Sequence, residues 1–177
     1  MSINTLLLFF LTVFPLIITP GPDILFIASR GLSKGLRSAM QAVGGVLLGY
    51  SMHAMLSALG IAALVSASPK LFTAIKWIGV AYLVFLALRL IISGFQKKEE
   101  MNWEDNKVEK KSLLHGFFTS FLNPKGLLVY LSILPQFISP EGKTAAQALS
   151  FSALFIFSCG IVYPTCQVKC HMTPEFL

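Results

Sequence analysis

The sequence predicts an all-α membrane protein, a polytopic helix bundle. Three observations carry that prediction. Apolar residues fill 55% of the 177 positions and charged residues only 12%, about half the charged share of a soluble domain. The mean hydropathy is +0.73. Five apolar segments are each long enough to cross a bilayer core of about 30 Å, which takes about 20 helical residues. Hydrocarbon penalises charge and offers no water to unpaired backbone groups, so such a chain is expected to cross as helices.

The first span runs from Ile3 to Ser29. It lacks a basic leader, exceeds the roughly 7–15 apolar residues of a secretory signal, and is followed by further spans. Its later part reads "ITPGPDILFI", residues 18–27, with two prolines, a glycine and an aspartate where a helix should continue. Pro22 has no amide donor and disfavours helix at the residue before it, so a break is expected there.

The second span covers Ala39 to Val65. Gly45 and Gly49 within it form a small-xxx-small pair, expected to let helices pack closely inside the subunit; a homodimer contact is the second use of such a pair. His53 reads as a neutral, hydrogen-bonded histidine, with proton carriage as the alternative. The third span is Leu71 to Phe95.

A polar linker follows, "QKKEEMNWEDNKVEKKS", residues 96–112, with five basic and five acidic side chains and little to bury. The fourth span, Leu113 to Ile138, carries Asn123-Pro124-Lys125, and the fifth runs from Ala145 to Tyr163.

Basic residues set the orientation. Arg30, Lys34 and Arg37 follow the first span; Lys97, Lys98, Lys107, Lys110 and Lys111 follow the third. The other links hold only Lys70, Lys76 and Lys143. The rich links face the cytoplasm, which puts the N-terminus outside. The net charge of +6 is thus a topology signal, and no basic run has the interleaved aromatics of a single-strand binder. No nucleic-acid partner is expected.

Superposing Pro22 on Pro124 relates the halves by an offset of 102 residues. The second span then maps onto the fifth, and the third maps to about 173–197, beyond this sequence. The implied layout is a first three-helix repeat at 1–95, a cytoplasmic linker at 96–112, an incomplete second repeat at 113–163 and a polar tail at 164–177. That is an inverted 3+3 repeat lacking its sixth helix, an arrangement of many secondary transporters.

The breaks carry the chemistry. Half-helix N-termini in a cavity suit an anionic group such as an amino acid's carboxylate. Asp23 sits in the opening turn of its half-helix, where the dipole favours a carboxylate, a structural use compatible with a functional one. Lys125, after Pro124, opposes the dipole. An unpaired lysine in a span costs about 2.5–3.5 kcal/mol, against a return of about 0.3–0.6 from each Leu or Ile. An acid, water or a substrate carboxylate should offset that, and Asp23 is the expected partner. Thr19, Pro20, Gly21, Pro22, Asp23, Asn123, Pro124 and Lys125 are therefore the candidate substrate or ion pathway.

Three stretches carry a resemblance: "TPGPDILFIASRGLSKGLRSAMQAVGGVLLGY", "IKWIGVAYLVFLALRLI" and "FLNPKGLLVYLSILPQF". In order and spacing, over residues 5 to about 160, they resemble the LysE/RhtB amino-acid exporters. The resemblance implies a six-helix transporter of the bacterial inner membrane that exports amino acids or their derivatives, of the homoserine, threonine, lysine or leucine type, using the proton-motive force. After Gly160 the sequence departs from that pattern, reading "IVYPTCQVKCHMTPEFL". A premature stop, a frameshift or a scar is the expected cause.

Other classes fit less well. An enzyme is disfavoured, with no HExxH, G-x-S-x-G or P-loop. A non-transporting assembly subunit, or an inactive truncated remnant of an exporter, is the alternative. Neither an enzyme nor an assembly subunit accounts for matched proline breaks with a buried lysine. Cys159, Cys166, Cys170 and His171 do not compose the four-ligand geometry of zinc. No disulfide framework, metal or cofactor is expected.

Overall fold

The computed structural model describes residues 2–93 and 112–172 and is all-α among them. Seven helices follow in order: α1 (Ile3–Ile18), α2 (Pro22–Lys34), α3 (Leu36–Ala67), α4 (Pro69–Ser93), α5 (Ser112–Phe121), α6 (Pro124–Phe137) and α7 (Thr144–Met172).

Their ends follow from local chemistry. Ser2 caps α1 by accepting the Thr5 amide at 3.2 Å. Gly35, at φ 79°, turns the chain between α2 and α3 in a conformation that only glycine adopts without cost. Pro69 opens α4 and Pro22 opens α2, where the missing amide is an orphan in any case.

Both proline breaks expected from the sequence are present. The axes of α1 and α2 differ by 49°, and those of α5 and α6 by 48°. Within α6, Leu128–Ile133 winds as a π-helix.

Helix α3 and the Thr144–Thr165 part of α7 are long and apolar enough to cross a membrane, and each bent pair adds a span if it crosses as one, up to four among the described residues. The described part of the third expected span lies in α4. The chain is a multi-pass membrane bundle. Leu7, Leu11, Leu59 and Phe157 point outward, as lipid contact requires.

The polar linker at 96–112 lies almost wholly outside the described residues, with only Ser112 inside, as the first residue of α5. The chain past Tyr163, read as a polar tail, continues α7 through Pro164 to Met172. One proline removes one hydrogen bond and kinks a helix more readily than it ends one. Residues 173–177 lie outside the description.

Helix α3 is the axis of the bundle, packed chiefly against α5, α7 and α2. Against α5 the backbones nearly touch. A Cβ on Gly45 would overlap the Leu113 carbonyl, and one on Gly49 would overlap the Ser120 hydroxyl. From the other side, a Cβ on Gly116 would lie 2.5 Å from the Ala42 oxygen. Ser120 donates to the Val46 carbonyl at 2.9 Å across this seam. Helix α5 thus fills the stripe around Gly45 and Gly49, which leaves it closed to a second copy.

Candidate functional site

The first break spans Thr19, Pro20 and Gly21. Thr19 ends α1 and returns both its amide and its hydroxyl to the Pro15 carbonyl, at 3.1 and 2.6 Å. Gly21 is extended, and Pro22 is the first residue of α2. Asp23 follows and is fully buried. Its Oδ2 accepts a hydrogen bond from the Tyr50 hydroxyl of α3. The favourable dipole end and the tyrosine together hold a carboxylate inside an apolar bundle.

The second break is built alike. Asn123 caps α6, its Oδ1 accepting the Lys125 amide at 3.0 Å. Pro124 is the first helical residue, as Pro22 is in α2. With its amide drawn to Asn123, Lys125 leaves the Phe121 carbonyl four residues back without its helical partner. His53 of α3 fills that gap, with Nε2 at 2.9 Å. A carbonyl only accepts, so Nε2 carries the proton. The His53 ring is stacked between Phe121 and Tyr130.

Lys125 resolves the puzzle of its own position. It opposes the dipole of α6, yet its ammonium crosses to the other break and donates to the Thr19 carbonyl at 3.0 Å. It also reaches the Ile17 carbonyl at 3.5 Å. These are end carbonyls of α1, where a cation is favoured. Its stem lies over Gly21, where a Cβ would stand 3.6 Å from the Lys125 Cδ.

The expected pairing of Lys125 with Asp23 takes a looser form. The two lie within electrostatic reach, but no direct ion pair joins them among the described residues. The ammonium is committed to backbone.

Several members of this cluster lie outside the sequence-derived set. Tyr50, Tyr130, Cys159 and Tyr163 are all buried. Cys159 lies within electrostatic reach of Asp23, Lys125, Tyr130 and Tyr163, which places it near the centre. A tyrosine in an apolar span must find a partner for its hydroxyl. That demand was the available signal, and the tyrosine at the end of "GGVLLGY" carried it.

Not every polar atom here is satisfied. Asp23 Oδ1, Asn123 Nδ2, Tyr130 OH and Tyr163 OH are buried and make no well-formed hydrogen bond, although Asn123 lies beside Asp23, Ser152 beside Tyr130, and Tyr50 and Cys159 beside Tyr163. Loosely satisfied buried groups of this kind are uncommon in packed interiors, where an ordered water often completes them. Among the described residues no three His, Cys, Asp or Glu side chains gather as a metal would require.

The LysE type translocator family model matches residues 14–170, both breaks included. The chain belongs to the LysE type translocator family. Its match extends into the residues after Gly160 that departed from the expected pattern.

Among curated relatives of this chain, an uncharacterized membrane protein of Pseudomonas aeruginosa is 32% identical over 144 residues, covering 79% of this chain and 66% of the relative. A leucine efflux protein of Klebsiella pneumoniae is 28% identical over 139 residues, covering 78% and 66%. A leucine efflux protein of an Enterobacter strain is 30% identical over 125 residues, covering 71% and 59%. The chain thus spans about two thirds or less of the length of these relatives. No solved structure matches.

Proposed function

We propose that the chain exports amino acids across the bacterial cytoplasmic membrane, with the two broken spans lining the substrate path and the N-terminus outside. One observation carries this reading: the Asp23 carboxylate is fully buried at the first break, with one oxygen held by Tyr50 and Asn123 of the second break beside it. Ionisable groups are costly in a membrane and are retained where solutes or protons pass. Residues 19–23 and 123–125 converge on that point, as broken helices do at transporter binding sites.

Membership of the translocator family supports the same reading, as do relatives named for leucine efflux. The substrates expected are leucine, threonine, homoserine or lysine. Asp23 is the only carboxylate within a helix among the described residues. It is therefore the group assigned to couple export to the proton-motive force. No metal or cofactor has a part in this scheme.

The test is efflux of radiolabelled leucine, threonine, homoserine or lysine from proteoliposomes containing the purified chain under an imposed proton gradient. Export is expected to exceed that of empty vesicles and to collapse with a protonophore. Efflux no faster than from empty vesicles for all four would sink the reading and leave the assembly subunit or the inactive remnant of an exporter.

A further inference from the structure

Helix α4 is held to α6 at two points. Gly79 brings the backbones together, since a Cβ there would stand 3.1 Å from the Ser132 Cα. One turn earlier, Lys76 and Gln136 exchange hydrogen bonds. Lys76 Nζ donates to the Gln136 carbonyl at 3.3 Å, and Gln136 Nε2 donates to the Lys76 carbonyl at 2.7 Å. The Lys76 ammonium also sits over the Phe72 ring, 5.5 Å from its centroid.

Between the same two helices lies a cavity of about 460 Å³. Ile75, Ile78 and Tyr82 line one wall, and Leu127, Leu128 and Leu131 the other. Pro124 is the only lining residue that also belongs to the candidate pathway. Ile78 and Leu131 are 67% and 61% exposed, so the cavity is a groove open toward the bilayer. Its α6 wall includes part of the π-helical stretch Leu128–Ile133, a winding that recurs at functional sites.

Size and chemistry select the occupant. The volume lies within the range of about 300–1,000 Å³ of ligand sites. The lined stretch of α4, Ile75 to Tyr82, is about 10 Å long, whereas a transmembrane helix is about 30 Å long. A further helix or a second copy would meet the groove over only a third of its length. Aliphatic walls give water no partners, and an empty gap forfeits dispersion contacts. A hydrocarbon chain fills such a groove, but every lipid tail nearby is equally apolar. Preference therefore has to come from the headgroup. Lys76 borders the groove at the end nearest the helix termini, and its long stem lets the ammonium reach the interface. That end of the bundle carries Lys70, Lys76 and Lys143 against Glu141, a charge balance that favours an anion.

We propose that this groove is a lipid site: one acyl chain of an anionic phospholipid lies between α4 and the π-helical stretch of α6, with its phosphate on Lys76. The lipid completes a helix contact that Gly79 and the Lys76–Gln136 exchange begin. The site does not depend on the export reading.

The experiment is native mass spectrometry of the full chain, purified in detergent and incubated with equal amounts of phosphatidylglycerol and phosphatidylcholine bearing identical chains. The chain should retain one lipid and favour phosphatidylglycerol at least about fivefold, the worth of one lysine against an anionic headgroup. Lys76→Gln should bring that ratio to about one, and Lys76→Arg should keep it. Were Lys76 merely structural, Lys76→Gln would lower the thermal midpoint and leave the ratio unmoved. Leu131→Trp fills the groove and should abolish retention of both lipids. Leu59→Trp, on an exposed face of α3, should leave retention unchanged.

No retained lipid, equal retention of the two lipids by the parent, or a ratio unmoved by Lys76→Gln overturns the proposal. Retention unaffected by Leu131→Trp also overturns it. A lipid-free dimer does so as well, and would give the groove to a second copy.

Discussion

The Lys125 ammonium donates to the Thr19 carbonyl at 3.0 Å, so a residue of the second break satisfies the backbone of the first. His53 does the converse, serving the Phe121 carbonyl from within the first half. Each break is closed by a side chain from the other half of the chain. Helix termini buried in an apolar medium demand such partners, and a broken span is stable only where they are supplied.

Replacing Lys125 by Met removes the donor to the Thr19 carbonyl and the reach to Ile17. The variant should lose about 1–3 kcal/mol of stability, read as a lower midpoint in a detergent thermal melt. Its leucine efflux should fall below about a tenth of the parent rate. Undiminished efflux would remove Lys125 from the pathway.

Asp23→Asn keeps shape and hydrogen-bonding capacity while deleting the charge. Its melt should stay close to that of the parent, and its gradient-driven efflux should fall at least about tenfold. Tyr50→Phe should act oppositely. It strips the carboxylate of its donor and lowers stability by about 1–3 kcal/mol. A melt of Tyr50→Phe matching the parent would show that the hydroxyl does not hold Asp23.

The α3–α5 seam predicts a contrast between neighbouring glycines. Gly45→Ala and Gly49→Ala place a methyl group into backbone or the Ser120 hydroxyl and should cost about 1–3 kcal/mol or more each. At Gly44 a Cβ meets nothing within 4 Å, so Gly44→Ala should be tolerated. Monodispersity on gel filtration after extraction, with the melt, reads the difference. Equal behaviour of Gly44→Ala and Gly45→Ala would show the helices are not in contact there.

Asn123→Ala tests the second break. It removes the cap of α6 at 3.0 Å, a loss of about 1 kcal/mol by itself. Since the freed amide then competes for the Phe121 carbonyl, the need for His53 declines. The double variant Asn123→Ala with His53→Phe should therefore lose less than the sum of the single losses. Strict additivity of the melts would argue against that coupling.

The positions of both breaks were legible in the sequence because proline acts on its own neighbours, and Pro22 and Pro124 do so in any context. The partners were not. Lys125 was weighed against the dipole of its own helix and against the acid at the other break, whereas its ammonium rests on the carbonyls of α1. Tyr50, Cys159 and Tyr163 lie on α3 and α7, and only packing brings them to Asp23. The stretch after Tyr163 reads in the sequence as a polar tail, and helix runs on through Pro164 to Met172. Local rules located the interruptions; tertiary contacts decided what fills them.

The cross-bracing also dictates an order of manufacture. As α1 and α2 leave the ribosome, the Thr19 carbonyl has no cation to receive it until residue 125 has been made. His53 waits equally long for Phe121. The leading half thus cannot mature alone. Severed between 95 and 112 and produced as two polypeptides, the halves should recover their fold only when made together.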